Sequence, residues 1–166
     1  MKTILSALAG LILTATTVSN GNAAEAKTNR YVLASKAVSQ SYNCIEVRGN
    51  VDIILVQGTS NLMTLEGYQS QLENVTLNVH GNTLYVNTTG KEKGKNPVVY
   101  IPVNDLRFLT VRGNSNVKTL GFLQATNTVI ELEAACHVEL KSTGKISIAE
   151  YSSNEYVVEK WEMASL

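Results

Sequence analysis

A short block recurs along this chain, and it constrains the fold more than any other feature. Val47-Arg48-Gly49-Asn50-Val51 is echoed by Val111-Arg112-Gly113-Asn114-Ser115-Asn116-Val117 and, more loosely, by Leu132-Glu133-Ala134-Ala135-Cys136-His137-Val138. A weaker echo runs from Glu150 to Tyr156. The last three begin roughly 20 residues apart, the length of one coil of a solenoid. Each block has the form strand, small-residue corner, strand. One such unit cannot bury its apolar side alone, so stacking of successive units must create the core. Gly49 and Gly113 are the expected structural corners. Glycine accepts positive φ without a Cβ clash, and the Asn and Ser neighbours bond the turn backbone.

Between and within these blocks the period is two. In Cys44-Ile45-Glu46-Val47-Arg48 and Val51-Asp52-Ile53-Ile54-Leu55 apolar and polar residues alternate, and β-branched types predominate. Val75 to Val79 and Leu84 to Val86 repeat the pattern around His80-Gly81-Asn82-Thr83, a hairpin signal. Val99 to Val103 continues it, followed by Leu106, Leu109 and Val111. Thr89 to Pro97, with Gly90, Gly94 and three lysines, has the composition of a solvated connector. No convincing helical stripe occurs. A turn of helix is expected only in Tyr31 to Ser41, and Tyr68 to Leu72 has the character of an ordinary loop. The expected class is all-β: a β-solenoid-like stack of short strands with tight small-residue corners.

Composition narrows the function. The 166 residues carry 14 basic and 14 acidic side chains, 44% hydrophobic residues and two cysteines. That length supports a core without disulfide or metal staples. Hydrophobicity of this order argues against disorder, and balanced charge without a Lys/Arg cluster argues against nucleic acid as a partner.

The first segment is an export address. Met1-Lys2-Thr3 opens positively, Ile4 to Val18 is uncharged and rich in Leu and Ala, and Ala24-Glu25-Ala26 supplies small residues for cleavage. Residues 1–26 are expected to be a secretory signal peptide cut near 24–26, residues 27–41 a lead-in, and residues 42–166 the domain. The apolar run is short for a membrane span, and nothing after residue 26 approaches transmembrane length. The expected location is the periplasm or outer cell surface of a Gram-negative bacterium.

From Tyr42 onward the chain resembles the head GIN family of auto-transporter adhesins. The resemblance rests on Tyr42-Asn43-Cys44-Ile45-Glu46-Val47-Arg48-Gly49-Asn50-Val51-Asp52-Ile53, on Gly81-Asn82-Thr83-Leu84-Tyr85-Val86, and on Leu106 through Val117. It implies a right-handed, single-stranded β-helix-like domain without enzymatic activity. The third corner departs from the pattern by lacking glycine. Trp161, among Glu159, Lys160 and Glu162 near the chain end, is expected to cap the last coil.

Residues able to carry chemistry are few. Cys136 and His137 are adjacent, but neighbouring side chains of a strand point to opposite faces. Cys136 is therefore expected inside and His137 outside, which disfavours a reactive thiol. Cys44 falls out of phase with Ile45 and Val47, on the outer face, so a Cys44–Cys136 bridge is disfavoured because the two Cβ vectors must converge. His80 is a turn residue, and two His with two distant Cys do not make a zinc site. Glu131 and Glu133 are the carboxylates that a glycosidase would need, and their alternation suits a solvated face better. No metal or other cofactor is expected. Tyr85 and Tyr100, out of phase with Leu84, Val86, Val99 and Ile101, are the candidate ligand-binding residues: either a shared platform for a sugar or protein, or a cross-strand pair that only stabilises the sheet. The functional expectation is an exported, non-enzymatic adhesin-like or envelope interaction protein whose partner is an envelope or extracellular protein or glycan. The alternatives are a periplasmic carbohydrate-binding or scaffold module and a glycan-active β-helix enzyme.

Overall fold

The structure is a computed structural model that describes residues 29–90, 94–133, 136–150 and 157–162, with backbone only at 150 and 157–162. In chain order the elements are β1 (Tyr31–Ala37), β2 (Cys44–Arg48), β3 (Asp52–Gln57), β4 (Leu62–Tyr68), α1 (Gln69–Glu73), β5 (Val75–His80), β6 (Thr83–Thr88), β7 (Val98–Val103), β8 (Phe108–Arg112), β9 (Asn116–Leu120), β10 (Asn127–Leu132), β11 (His137–Ser142), β12 (Lys145–Glu150) and β13 (Val157–Glu162). They form two mixed sheets, neither closed into a barrel. One runs β1-β4-β7-β3-β9-β11-β13 and the other β12-β10-β8-β2-β6-β5.

The repeat becomes the register of the parallel ladders. In the six-stranded sheet Val47 pairs with Val111, Val111 with Leu132, and Leu132 with Glu150. In the seven-stranded sheet Ile53 pairs with Val117, Val117 with Val138, and Val138 with Val158. Equivalent residues of the blocks thus lie side by side, and the strand on each side of a corner belongs to a different sheet. The apolar sets of the two sheets face each other. Ile45, Val47, Leu84, Val86, Leu109 and Val111 on one side and Ile53, Leu55, Val99, Ile101 and Val117 on the other are all essentially buried. The inner positions form apolar rows across each parallel ladder, such as Val86-Val47-Val111-Leu132 and Val99-Ile53-Val117-Val138, in which β-branched residues predominate.

The stack does not follow chain order. The β2–β3 unit lies between β6–β7 and β8–β9, since β2 pairs with both β6 and β8, and β3 with both β7 and β9. Antiparallel strands complete the β6–β7 end. β5 folds back on β6 through Gly81-Asn82, where Gly81 has φ 59°, as a two-residue hairpin opening on glycine requires. β4 pairs with β7, and β1 with β4.

Two local expectations fail here. Tyr31 to Ala37 is a strand rather than a turn of helix, because its alternate residues Val32 and Ala34 pack on the core while seven residues pair in register with β4. The stretch assigned to a lead-in therefore contributes the outermost strand. The helical turn forms instead at Gln69–Glu73, where a loop was expected. Leu72 is buried there, and the Tyr68 N–H donates to Gln71 Oε1 across the first turn. Side-chain and backbone bonds also tie the described end of the 89–97 connector: Asn96 Nδ2 donates to Asp52 Oδ1, and Asp52 N–H to the Pro97 carbonyl.

The corners differ in what they ask of glycine. Gly49 has φ 90°, a region L side chains avoid, and a Cβ would also strike Thr88. Gly113, expected to need the same freedom, has no positive φ. Its requirement is space, because a Cβ there would fall on the backbone of Gly49. Ser115 Oγ seals the contact by donating to the Gly49 carbonyl at 3.1 Å and accepting from Val51 N–H at 3.3 Å. Gly113→Val should therefore lower stability by about 2–3 kcal/mol through overpacking. Gly81→Ala, at positive φ with open space around it, should cost about 1 kcal/mol. Urea denaturation of the two variants checks this order, and equal losses would refute the account of Gly113.

Candidate functional site

The two outer faces of the sheets differ in chemistry. On the six-stranded sheet Arg112 bridges Glu46 at 3.3 Å and Glu133 at 3.1 Å, and Arg48 also pairs with Glu46. Thr110 Oγ1 donates to Glu131 at 3.3 Å. Glu131 and Glu133 are thus partnered within the sheet, as side chains of a solvated ladder. Tyr85 stands on this face, in register with Glu46 on one side and Asn78 on the other.

The seven-stranded sheet presents tyrosines and aliphatics over β1, β4, β7 and β3, bordered by Lys118 on β9 and the Glu139–Lys141 pair on β11. With Met63 and Leu65 turned inward, β4 shows Leu62, Thr64, Glu66 and Tyr68 outward. β7 likewise shows Tyr100 and Pro102, β3 shows Ile54 and Val56, and β9 shows Leu120. Pairing of Val56 with Pro102 and with Leu120 sets these three side by side. Leu33 is 70% exposed and Leu120 65% exposed. Pro102 is tolerated within β7 because the β4 ladder ends at Tyr100. Its carbonyl accepts the hydroxyl of Tyr42, whose own titration burial pushes up to about 12.

At one end of this face Glu66 gathers three tyrosines. Tyr31 hydroxyl donates to Glu66 Oε1 at 2.8 Å and Tyr100 hydroxyl to Oε2 at 2.9 Å. Tyr68 packs edge-on against Tyr31, ring centroids 5.4 Å apart. The two hydroxyls hold the Glu66 carboxyl below its usual range, and the carboxylate in turn raises both tyrosines. The cluster joins three strands: β1, β4 and β7.

Tyr85 and Tyr100 are therefore not brought together. They belong to different sheets and point to opposite sides of the molecule, so they form neither a shared platform nor a cross-strand pair. Alternation alone could not show this, because the turn from β6 to β7 carries the chain from one sheet to the other. Tyr31, Glu66 and Tyr68 were not among the sequence candidates. The signal that could have found them is the alternation of Tyr31-Val32-Leu33-Ala34, once read as a strand.

The family model described as "Putative auto-transporter adhesin, head GIN domain" matches residues 41–159. The chain belongs to this family. Among solved structures, the head GIN chain resembles an adhesin, so described as putative, from Parabacteroides distasonis ATCC 8503, at 21% identity and TM-score 0.64, covering 79% of this chain and 57% of that one. A second such adhesin, from Parabacteroides merdae ATCC 43184, stands at 17% identity and TM-score 0.63 with the same coverages. A third structure, named a putative lipid binding protein from Parabacteroides distasonis ATCC 8503, has 15% identity and TM-score 0.60, covering 81% of this chain and 68% of that one. These likenesses concern the fold, and the head GIN chain spans less than two thirds of the length of the first two. Among curated proteins none matches it.

The remaining candidates take structural places. Both cysteines are free: Cys136 is buried, while Cys44 is half-buried on the outer face of β2. Burial pushes both thiols up, away from the thiolate a nucleophile needs. His80 closes the β5–β6 hairpin opposite Thr83, and His137 opens β11. No group of three or more His, Cys, Asp or Glu side chains is placed to hold a metal ion among the described residues, nor is any helix among them long and apolar enough to cross a membrane. The Ala134-Ala135 corner, the 151–156 echo, the signal segment and the side chain of Trp161 lie outside the described residues.

The Glu66 cluster has a pH signature. Its lowered carboxyl contributes stability that is complete above the ordinary glutamate value and is lost as pH falls through the folded value. Tyr100→Phe should move the Glu66 titration upward, toward the ordinary value, and narrow the acid loss. Carboxyl-resolved NMR titration checks both, and an unmoved Glu66 would refute the clamp. A thiol count on the denatured, unreduced protein should find two free thiols.

Proposed function

We propose that this head GIN protein is an exported, non-enzymatic adhesin-like module that meets its partner through the outer faces of a solenoid-like stack. Its parallel ladders are read as coils of a right-handed solenoid, to which the antiparallel strands are added. The signal segment is removed near residues 24–26, and the product works in the periplasm or at the outer surface of a Gram-negative cell. One observation carries the reading: one face holds Tyr31, Leu33, Leu62, Tyr68 and Leu120 in solvent beside a half-buried Tyr100, while on the opposite face the exposed ring of Phe108 lies among charges paired within the sheet. Exposed apolar patches of this kind mark interaction surfaces. Tyrosine supplies a rigid ring with a polar tip, suited to protein surfaces and sugars. Tyr100 is the contact residue on this face, and Tyr85 marks the second, more polar face. The family description and the adhesin names of the two Parabacteroides structures support a surface role without catalysis. The partnered state of Glu131 and Glu133 supports the same view over a glycan-active enzyme.

Location and face are tested separately. Protease treatment of intact cells should shorten or release the protein, whereas full protection would refute display and leave the periplasmic alternative. Retention of the purified protein on isolated envelopes should fall at least tenfold in Leu62→Asp, Leu120→Asp and Tyr100→Ala variants whose urea midpoints match the parent. Retention unchanged in all three would refute the assigned face.

A further inference from the structure

We infer that the protein carries a glycan-binding groove at the end of the stack opposite the glycine corners, with a neutral oligosaccharide as its ligand. This goes beyond the proposed contact face and does not depend on it. Two open cavities, of about 360 and 260 Å³, adjoin one another at Asp105. The first is lined by Arg107, Phe108, Thr126, Asn127 and Val129, and the second by Ser41, Tyr42, Asn43, Asn82 and Asn104.

Their residues fall at the leading ends of four neighbouring strands. Asn82 precedes β6, Asn43 precedes β2, Arg107 precedes β8 and Thr126 precedes β10, in the order in which those strands lie side by side. Backbone bonds lock the row. Asn43 N–H donates to the Asn82 carbonyl at 3.1 Å, Arg107 N–H to the Asn43 carbonyl at 2.8 Å, and Val129 N–H to the Arg107 carbonyl at 2.8 Å. The groove therefore repeats a polar position at each strand spacing, about 4.8 Å, over a span of roughly 14 Å. A rigid row with a regular repeat suits a ligand that is itself a short repeating chain.

The chemistry narrows the class. Phe108, 46% exposed, stands between Cys44 and Val129 on the sheet face and offers its ring as an apolar floor. Thr126 and Asn127 line the same cavity as Phe108, and Asn82 and Asn104 line the adjoining one; the side chains of all four bond to no other group among the described residues. They hold donors and acceptors ready for hydroxyls. Arg107 and Asp105 neutralise one another at 3.1 Å, so the groove has no net attraction for a phosphate, a sulfate or a cation. An extended peptide lacks its usual purchase, because β2 and β8 are interior strands with partners on both sides and no free edge to extend. A neutral sugar chain, with an apolar ring face for Phe108 and hydroxyls for the amides, fits both halves.

The test is an NMR titration of the mature protein with cellohexaose, laminarihexaose and mannohexaose. A sulfated glucan oligomer of the same length and a proline-rich decapeptide serve as comparison arms. At least one neutral hexaose should shift the backbone amides of Asn43, Asn82, Arg107, Phe108 and Asn127 saturably. Phe108→Ala and Asn127→Ala should each weaken that binding about tenfold, and Tyr100→Ala should leave it unchanged. Should Phe108→Ala fail to fold, Asn127→Ala decides alone. Groove amides unmoved by every neutral hexaose at millimolar concentration, shifts with only the sulfated oligomer or the peptide, or binding that survives in the folded variants would each overturn the inference. Protection of the protein on intact cells, which refutes surface display, leaves this result untouched.

Discussion

The close approach of the Gly113 backbone to that of Gly49 is the contact on which the rest of the structure depends. Two parallel ladders, one in each sheet, must share a register, and the corner between them is where a slip of one residue would enter. Such a slip would turn every inward residue of a strand outward. Because Gly49 and Gly113 leave no room for a Cβ between them, and Ser115 bonds both sides of the corner, Val47 is held against Val111 and Ile53 against Val117 together. Inner rows of apolar residues then follow without individual adjustment.

Fixed register also separates the outer faces. Once the inner rows are set, alternate residues project outward in rows of their own, and each row takes the character of its strands. On β2, β8 and β10 the outward residues include Glu46, Arg48 and Arg112, which neutralise one another, and Thr110, which donates to Glu131. On β3, β7 and β9 they include Ile54, Val56, Pro102 and Leu120, whose side chains have no polar group to satisfy. The cluster of Tyr31, Tyr100 and Glu66 adds directional bonds at the margin of the apolar face, where β1 would otherwise be held by backbone pairing on one side alone.

Much of this was legible in the chain, and what was not has identifiable causes. The blocks at Val47, Val111 and Leu132 predict partners correctly, since a repeat stacked in parallel converts sequence offset into register. Facing of Cys44, Cys136, Leu84 and Val99 follows from period two. Sheet membership does not follow, which is why Tyr85 and Tyr100 read as neighbours from their spacing yet lie on opposite faces. Gly113 shows a related limit: a glycine needed for a close backbone approach has the same letter as one needed for positive φ, and only the stacked neighbour separates them. Tyr31 to Ala37 is missed as a strand because its outward Leu33 is largely in solvent, so the apolar contrast across the strand is weak. The groove residues carry no motif, because Asn82, Asn43, Arg107 and Thr126 are far apart in sequence and are aligned only by the ladders.

Placing β2–β3 inside the stack has a kinetic consequence. This unit precedes its parallel partners on both sides in the chain: β6 and β7 on one, β8 and β9 on the other. Val47 meets Val86 only after an intervening β3, β4, α1 and β5 have been laid down, and Val111 later still. Loop closure of that size must precede the contacts that reward it, which makes non-local parallel pairing slow. The antiparallel β5–β6 hairpin offsets part of that delay. It forms locally through Gly81-Asn82 and presents β6, already paired on one side, as a template for β2. With β6 on β2 and β7 on β3, one pair of strands lies beside another, and β8–β9, β10–β11 and β12–β13 follow in chain order on the opposite side. The hairpin and the glycine corner thus act at different stages. The hairpin supplies a local start to pairing, and the corner fixes the register that every later strand pair inherits.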